Sequence, residues 1–194
     1  ILRSTCAAPM NDYDVAIIGA GIAGASLAAT LPEGFTILLL EAEDAPGYHA
    51  TGRSAAFWSE TYGGPGIQPL TSASFRFLDH PDPSFASGSF LKRCGSLHLG
   101  TQGDAEAAAE MLREFAHTAV ELRPVETGEL DRILPGRQAG WGLGLWEADC
   151  CDIDVGRLHN AYLSAARRKG VRIATRSPVV GIKRQRDNWQ IETR

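Results

Sequence analysis

The sequence predicts an α/β fold with a parallel β-sheet, and three features near the N-terminus predict it. A short apolar run at residues 15–18 is typical of a parallel strand that is buried on both faces. A glycine-rich turn, Gly19-Ala-Gly-Ile-Ala-Gly24, follows it and leads into a helical pattern from about Ile22 to Leu31. A second strand is predicted over residues 36–40 and ends at Glu41. This order of strand, helix and strand indicates a parallel pair.

The spacing of the three glycines, in this setting, predicts a site for a dinucleotide. Gly19 is expected to make the tight turn out of the strand, and Gly21 to let the backbone approach a pyrophosphate. Gly24 is expected to let the helix pack closely on the strand. The first N–H groups of the helix, which starts at Ile22, and its positive dipole end favour the phosphates.

Glu41 predicts which dinucleotides fit. It lies 22 positions after Gly19, where a carboxylate can accept hydrogen bonds from an adenosine ribose. A 2′-phosphate would be repelled there, and the neighbours Ala42 and Glu43 supply no arginine. NADP is therefore disfavoured.

The same stretch has two other interpretations, and both are disfavoured. Residues 15–31 form a run of 17 without a charge, near the lower limit for a membrane span. Three glycines and a strand-to-helix break argue against one continuous spanning helix. A secretory signal is disfavoured because Asn11-Asp-Tyr-Asp14 precedes the run instead of a positive segment. No transmembrane segment is expected.

Charge and cysteine content exclude further classes. The net charge of −4 divides into −12 for residues 1–156 and +8 for residues 157–194. The basic part lacks aromatic platforms, so nucleic-acid binding is disfavoured. The cysteines (Cys6, Cys94, Cys150 and Cys151) show no metal-ligand spacing, so no metal site is predicted. Free cysteines are typical of a reducing compartment, here the cytoplasm.

A second segment points to a particular dinucleotide. Pro46-Gly47 predicts a turn, and residues 51–54 can cap a short helix that starts near Ala55. A second helix N-terminus beside Arg53 would form a second anion site. Such a site suits a cofactor with two phosphates and a large ring system, and therefore favours a flavin over NAD.

These residues carry a family resemblance. The glycine turn, Glu41 and the run Pro46-Gly-Tyr-His-Ala-Thr-Gly-Arg-Ser-Ala-Ala56 resemble the D-amino acid oxidase-like (DAO) FAD-dependent oxidoreductases. Within that family the chain is most similar to bacterial D-arginine dehydrogenases, and less so to glycine oxidases. The likeness runs from about Asp12 to the last residue and is most specific in the first 70 residues.

The resemblance implies a Rossmann-like FAD-binding domain with an inserted α+β substrate domain, incomplete in this chain. The chain stops inside a predicted β-meander, whereas family members are nearly twice as long, so we expect an N-terminal half whose C-terminal half is missing. Alone it is expected to bind FAD weakly or not at all. The expected parts are an extension at 1–10 before a start at Met10, FAD-binding segments at 11–85 and 149–194, and a substrate-domain segment at 86–148.

The resemblance also implies a reaction. FAD would oxidise the C–N bond of a D-amino acid or related amine to an imine, with hydride transfer to flavin N5, and hydrolysis would yield a 2-oxo acid and ammonia. The partner is a small-molecule amino acid or amine. No general base is evident, and an amine that is deprotonated beforehand needs none. A non-catalytic dinucleotide-binding module and an NAD-linked dehydrogenase are the alternatives.

The resemblance assigns cofactor contacts residue by residue. Ala23 and its glycine neighbours would meet the pyrophosphate, while Glu41, Ala42 and the backbone of Val179 would meet the adenosine. His49 fits either a histidyl–flavin bond or an ordinary turn. The pyrophosphate and flavin side would be wrapped by Ala50, Thr51, Gly52, Arg53, Ser54, Ala55, Ala56 and Phe57, with Ser54 the best polar candidate.

The resemblance also concerns the substrate residues. Tyr62 precedes the loop Gly63–Gly66 and is either a substrate-pocket (catalytic) residue or a buried aromatic under that loop. Phe57 stands where the D-arginine enzymes have a histidine. Near Gly95-Ser96 those enzymes carry a glutamate for the guanidinium, and no carboxylate stands there in this chain. A smaller or more apolar substrate is therefore expected.

Periodicity predicts the remaining elements. Asp152 and Asp154 suggest either a metal pair or a helix cap, and Trp141 and Trp146 either line a pocket or pack in a core. Further helices are predicted at 67–78, 104–119, within 120–133 and at 155–169, the last with an apolar stripe of Leu158, Ala161, Tyr162 and Ala165. Further strands are predicted at 91–99, within 120–133 and at 141–146, 171–174, 179–183 and 189–193.

Overall fold

A computed structural model describes residues 12–194, so the predicted extension and start at Met10 lie outside the described residues. The helices are α1 Ile22–Thr30, α2 Gln68–Asp79, α3 Ala105–Phe115, α4 Thr127–Ile133 and α5 Val155–Arg168. The strands are β1 Val15–Ile18, β2 Ile37–Leu40, β3 Phe57–Trp58, β4 Leu91–Arg93, β5 Ser96–Gly100, β6 Leu122–Pro124, β7 Leu143–Glu147, β8 Cys151–Ile153, β9 Arg172–Ala174, β10 Val179–Gln185 and β11 Asn188–Thr193.

The described chain divides into two compact units. Unit 1 comprises residues 12–54 and 155–194, and unit 2 comprises residues 55–154. The sequence-based boundaries stand instead after residues 85 and 148. The assignment of a cofactor domain and a substrate domain to these parts stays a prediction.

Unit 1 contains the predicted parallel sheet. Its strand order is β1–β2–β9, and Val15 pairs with Ile37 while Leu38 pairs with Arg172, both in parallel register. Helices α1 and α5 pack together, and the buried core combines their small side chains with strand residues such as Leu39. The apolar run 15–18 and the run at 37–40 thus form the expected strand pair. The hairpin β10–β11 is also in this unit.

The apolar stripe of α5 differs in part from the prediction. The buried residues of the helix are Leu158, His159, Leu163 and Ala166. Tyr162 and Ala165 are partly buried against the same core. The buried face of α5 therefore includes His159. The prediction missed this residue because it considered only apolar side chains.

Unit 2 contains two small antiparallel sheets, ordered β3–β8–β4 and β5–β7–β6. The single strand predicted over residues 91–99 is two strands, because Gly95 has φ +71° and breaks the run. The N–H groups of Cys94 and Gly95 both donate to the carbonyl of Cys150 (3.0 and 2.9 Å), which ends the first ladder.

The prediction of a short helix near Ala55 is wrong. No helix starts near Ala55: residues Thr51–Arg53 form one 3-10 turn, and Ser54 is extended (φ −88°, ψ 136°). The chain then continues into β3, and the carbonyl of Ala56 accepts from Ile153 N–H (3.0 Å), so strand pairing prevails over the local capping pattern. The second helix N-terminus predicted beside Arg53 is therefore absent from the described residues.

The helix predicted from Asp104 to about residue 119 is shorter. It ends at Phe115, and the Asp104 carboxylate does not cap it. That carboxylate instead accepts from the N–H and hydroxyl of Thr101 (both 2.8 Å), in a capping box of the preceding turn. Across residues 12–194, no helix combines the length and apolar character that crossing a membrane requires.

Candidate functional site

The glycine turn joins β1 to α1 in unit 1. Gly19 has φ +95°, and its N–H donates to the carbonyl of Leu40 (2.7 Å), which ties the turn to the end of β2. Gly21 is the N-cap residue of α1, with extended backbone (φ −70°, ψ −174°). The first-turn N–H groups, including those of Ala23 and Gly24, have no acceptor four residues back inside the helix. They form the positive end of the helix dipole.

Gly24 permits the close helix packing that the spacing predicts. A Cβ on Gly24 would lie 1.9 Å from the carbonyl oxygen of Gly19 and 3.3 Å from Cγ2 of Ile17. Backbone cannot yield to such a clash, so only glycine fits this position with the turn as it stands.

Glu41 holds the turn from the end of β2. The side chain is buried, with 8% exposure. Its Oε2 accepts from Ala20 N–H (2.9 Å), and its Oε1 accepts from Glu43 N–H (3.0 Å). A carboxylate oxygen has two lone pairs, so each oxygen keeps capacity for a further donor. Glu41 therefore lies against the glycine turn, and its contact with an adenosine ribose stays a prediction.

Thr51 is a second clamp on the turn. Its buried Oγ1 accepts from Ile22 N–H, the first N–H of α1 (2.9 Å). A Cβ on Gly21 would lie 3.1 Å from this Oγ1, so the missing side chain makes room for Thr51. Close approach of a pyrophosphate to Gly21 stays a prediction.

His159 is a site residue that the sequence interpretation missed. It lies on α5 with 6% exposure, and its Nε2 is 2.7 Å from the carbonyl oxygen of Ala20. Because a carbonyl oxygen only accepts, Nε2 carries the proton and donates. The available signal was helical spacing: residues 159, 163 and 166 repeat at i, i+4 and i+7 and are all buried.

The other residues predicted to contact the adenosine lie at the same edge of unit 1. Ala42 follows Glu41 and is exposed. Val179 starts β10 two residues after Ser177, whose N–H donates to the backbone carbonyl of Glu41 (2.8 Å). The structure thus brings the start of β10 next to the end of β2. Contact of either residue with a nucleotide stays a prediction.

The segment after Thr51 is divided between the units. The first segment of unit 1 ends at Ser54. Its last residues are exposed, namely Ala50, Gly52, Arg53 and Ser54. The guanidinium of Arg53 lies over the ring of Tyr48, 4.9 Å from its centroid. The remaining predicted residues of this segment belong to unit 2, namely Ala55, Ala56 and Phe57.

His49 has a protein partner. Its Nε2 lies 2.8 Å from Oε1 of Glu43, and its ring meets that of Tyr48 edge-on. This arrangement is that of an exposed turn histidine.

Tyr62 and Phe57 form an exposed aromatic pair in unit 2. Their ring centroids are 5.6 Å apart and the planes meet at 85°. Tyr62 is 71% exposed, so it is not a buried aromatic under the glycine loop. A role in a substrate pocket stays a prediction.

A buried carboxylate supports the segment before Tyr62. Glu147, at the end of β7, is 1% exposed and accepts from Ser59 Oγ (2.8 Å), Thr61 Oγ1 (2.7 Å) and Glu60 N–H (2.7 Å). The sequence interpretation missed this residue. Its signal was a lone carboxylate that ends an otherwise apolar strand.

Hydrogen bonds determine the ionisation of that carboxylate. Burial acts to raise the pKa of Glu147, but hydrogen bonds from His98, Thr61 and other donors outweigh burial and lower the pKa to about 2. The Nε2 of His98 lies 3.6 Å from Oε2 of Glu147 and 3.2 Å from Oγ1 of Thr61. The carboxylate is therefore charged at neutral pH.

Gly95 packs directly against the indole ring of Trp146. A Cβ on Gly95 would lie 2.1 Å from Cζ2 of Trp146, and the φ of +71° disfavours any side chain. A carboxylate at this position would have to displace the indole. Trp146 thus packs against backbone, whereas Trp141 is 41% exposed.

The two aspartates that suggested either a metal pair or a helix cap lie in different settings. Asp152 lies within β8, and Asp154 directly precedes α5. Within residues 12–194, no three or more histidine, cysteine, aspartate or glutamate side chains are grouped so that they could hold a metal ion.

Solved structures share this fold. Glycine oxidase from Geobacillus kaustophilus is 18% identical with a TM-score of 0.78, and the match covers 93% of this chain and 51% of that one. L-α-glycerophosphate oxidase from Mycoplasma pneumoniae, solved with FAD bound, is 16% identical with a TM-score of 0.76 (95% and 50% covered). L-amino acid deaminase from Proteus myxofaciens is 23% identical with a TM-score of 0.73 (99% and 44%). The chain spans about half the length of these proteins.

A family match covers nearly all of the described residues. A profile of the family described as "FAD dependent oxidoreductase" (DAO) matches residues 14–194. That range includes the glycine turn, Glu41 and both units. The chain therefore belongs to the DAO family of FAD-dependent oxidoreductases.

Proposed function

We propose that the protein oxidises the C–N bond of an amino acid or related amine with FAD, with a D-amino acid as the first candidate. The proposal depends on one observation. In this member of the family, the glycine turn lies beside Glu41 at the carboxyl ends of two parallel strands. Ligands of open α/β sheets bind at that edge. The resemblance of the chain to bacterial D-arginine dehydrogenases supports the D configuration.

The residues of unit 1 fit the ADP half of FAD. The N–H groups of Ala23 and Gly24 at the start of α1 would hold the pyrophosphate. Glu41 would accept hydrogen bonds from the ribose hydroxyls, with Ala42 and the backbone of Val179 next to the adenine. Both Glu41 oxygens already accept from backbone N–H groups, which fixes the carboxylate in place for the ribose.

The residues from Ala50 to Phe57 would serve the rest of the cofactor. Thr51 holds the first N–H of α1, while Ser54 supplies a hydroxyl that can donate to a phosphate. Bound FAD supplies the hydride acceptor. Tyr62 would orient the substrate through its phenol, which can both donate and accept a hydrogen bond.

We propose a small or apolar substrate. Phe57 offers no polar contact where the D-arginine enzymes place a histidine. The backbone and indole at Gly95 and Trp146 leave no room for a carboxylate that would bind a guanidinium. A strongly cationic side chain would therefore lack its counter-charge at both positions.

We also propose a cytoplasmic location. Cys94, Cys150 and Cys151 are free thiols. The N–H of Cys94 donates to the carbonyl of Cys150 (3.0 Å), and neither thiol is part of a disulfide. Free cysteines are typical of a reducing compartment.

The test is anaerobic reduction of bound flavin. A protein of full family length that contains this chain, reconstituted with excess FAD, is exposed to D-amino acids, L-amino acids and simple amines while the flavin absorbance is followed. Loss of the oxidised flavin bands with small apolar D-amino acids or amines, and not with D-arginine, is the expected result. Bleaching by L-amino acids alone would overturn the D assignment. Bound flavin that no compound bleaches would support a non-catalytic module.

A further inference from the structure

A side chain holds each of the two peptide groups that meet at Ala20, Gly19–Ala20 and Ala20–Gly21. Its N–H donates to Glu41 Oε2 (2.9 Å), and its carbonyl accepts from His159 Nε2 (2.7 Å). Ala20 has 0% exposure, so water cannot replace either bond. Glu41 directly follows β2 and His159 lies on α5, so the two side chains are far apart in sequence.

We propose that His159 is a positioning residue of the dinucleotide site, and that its Nε2–H sets the orientation of the glycine turn toward the nucleotide. The proposal rests on the proposed function, because it concerns the same site. His159 holds the Ala20–Gly21 peptide group through its carbonyl, and rotation of that group would move Gly21 and with it the first N–H groups of α1. The imidazole does not touch the nucleotide in this proposal and acts through Ala20.

A second contact extends this role to the loop after β2. The imidazole packs against Gly47, where a Cβ would lie 2.8 Å from Cε1 and 3.0 Å from Nδ1 of His159. Gly47 also accepts from Gly52 N–H (2.7 Å), which closes the turn that carries Thr51. Thr51 in turn holds the first N–H of α1. One imidazole therefore supports both connections to the glycine turn.

The size of the effect follows from the bond that is lost. Without Nε2–H the buried Ala20 carbonyl loses its partner, and a buried acceptor left unpaired is unfavourable. If that loss falls on the binding-competent turn, the nucleotide Kd rises about tenfold, since tenfold corresponds to about 1.4 kcal/mol. A histidine that only fills core space would change stability and leave the Kd unchanged.

The experiment titrates the protein with ADP by calorimetry and compares two substitutions. His159→Leu keeps the volume and removes the donor, and we expect about a tenfold rise in the ADP Kd. His159→Gln keeps an N–H donor, and we expect a Kd closer to the wild type. Leu163→Ala is the stability control, because Leu163 is buried (3%) on the same helix, and its cavity lowers stability with no change in Kd.

A pair of glycines gives an independent test. Gly47→Ala places a Cβ against the imidazole and should raise the ADP Kd as His159→Leu does. Gly34→Ala is its matched control, because Gly34 also has positive φ (+101°) but a Cβ there meets nothing within 4 Å. Both changes strain the backbone alike, and only the first should affect binding.

A nucleotide-free readout checks the bond itself. In the free protein, NMR of the His159 imidazole should show a proton on Nε2 that exchanges slowly. Equal ADP affinities of wild type, His159→Leu and Gly47→Ala, all folded, would overturn the proposal and leave the dinucleotide site intact. Absence of ADP binding by the wild type would overturn the site, and the positioning role with it.

Discussion

Replacing Glu147 by glutamine tests whether a buried charge organises the segment that leads to Tyr62. The carboxylate accepts hydrogen bonds from Ser59, Thr61 and the backbone of Glu60 at 1% exposure. Glutamine keeps the shape and one acceptor oxygen but removes the charge. The hydroxyls can reorient toward the amide, so the fold is retained at lower stability.

The magnitude follows from the pKa. The pKa of Glu147 falls from 4.5 to about 2 because its hydrogen bonds outweigh burial. Each pKa unit corresponds to about 1.4 kcal/mol, so the charged form adds about 3 kcal/mol to the free energy of unfolding at neutral pH. Because the pKa is lowered in the folded state, this contribution is complete above the unfolded value and is lost as the pH falls. About 2 kcal/mol of it disappears between pH 6 and pH 3.

Urea unfolding at pH 6 and pH 3, followed by tryptophan fluorescence, measures this directly. Unit 2 contains Trp58, Trp141 and Trp146, so the signal reports mainly on the unit that holds Glu147. Wild type should lose about 2 kcal/mol more than Glu147→Gln on acidification. Glu110→Gln, at an exposed position of α3, should behave as wild type. The same acid-induced loss in wild type and Glu147→Gln would refute the reasoning.

Two other predictions follow from packing and burial. Gly24→Ala should unfold unit 1 or lower its stability by several kcal/mol, because the new Cβ would lie 1.9 Å from the Gly19 carbonyl oxygen. The control is Gly128→Ala, at a helical glycine with open space around it, which should be neutral or slightly stabilising. Equal thermal stability of the two variants would contradict the packing argument. Burial, assisted by the Cys94 thiol and other neighbours, raises the pKa of Cys150 to about 12. At pH 8 a thiol reagent should therefore label exposed Cys94 in the folded protein and leave Cys150 unlabelled until denaturant is added. Equal labelling rates of the two cysteines would contradict this prediction.

The parallel strand pair and the glycine turn could be predicted because their determinants are local. The apolar runs at residues 15–18 and 37–40 and the spacing from Gly19 to Gly24 lie within one short segment. The required absence of a Cβ at Gly24 is a direct consequence of that spacing. The position of Glu41 also follows, since it ends the second strand.

The residues that sequence interpretation missed depend on distant partners. His159 meets Ala20 across 139 positions, and Glu147 meets Ser59 across 88. No local pattern encodes either contact. The wrong helix at Ala55 has the same origin, because the capping pattern is local whereas pairing of the following residues with β8 is not.

The central claim is that unit 1 binds the adenosine diphosphate half of FAD through the glycine turn and Glu41. The most direct measurement is an NMR titration of the ¹⁵N-labelled chain with FAD and ADP, with adenosine 2′,5′-bisphosphate as the discriminating ligand. We expect FAD and ADP to shift the amides of residues 20–24 and of Glu41 with similar, weak affinity. The 2′-phosphate should weaken binding, and Glu41→Ala should abolish the discrimination. Unchanged amides at millimolar FAD, or equal binding of the 2′-phosphorylated ligand, would contradict the account.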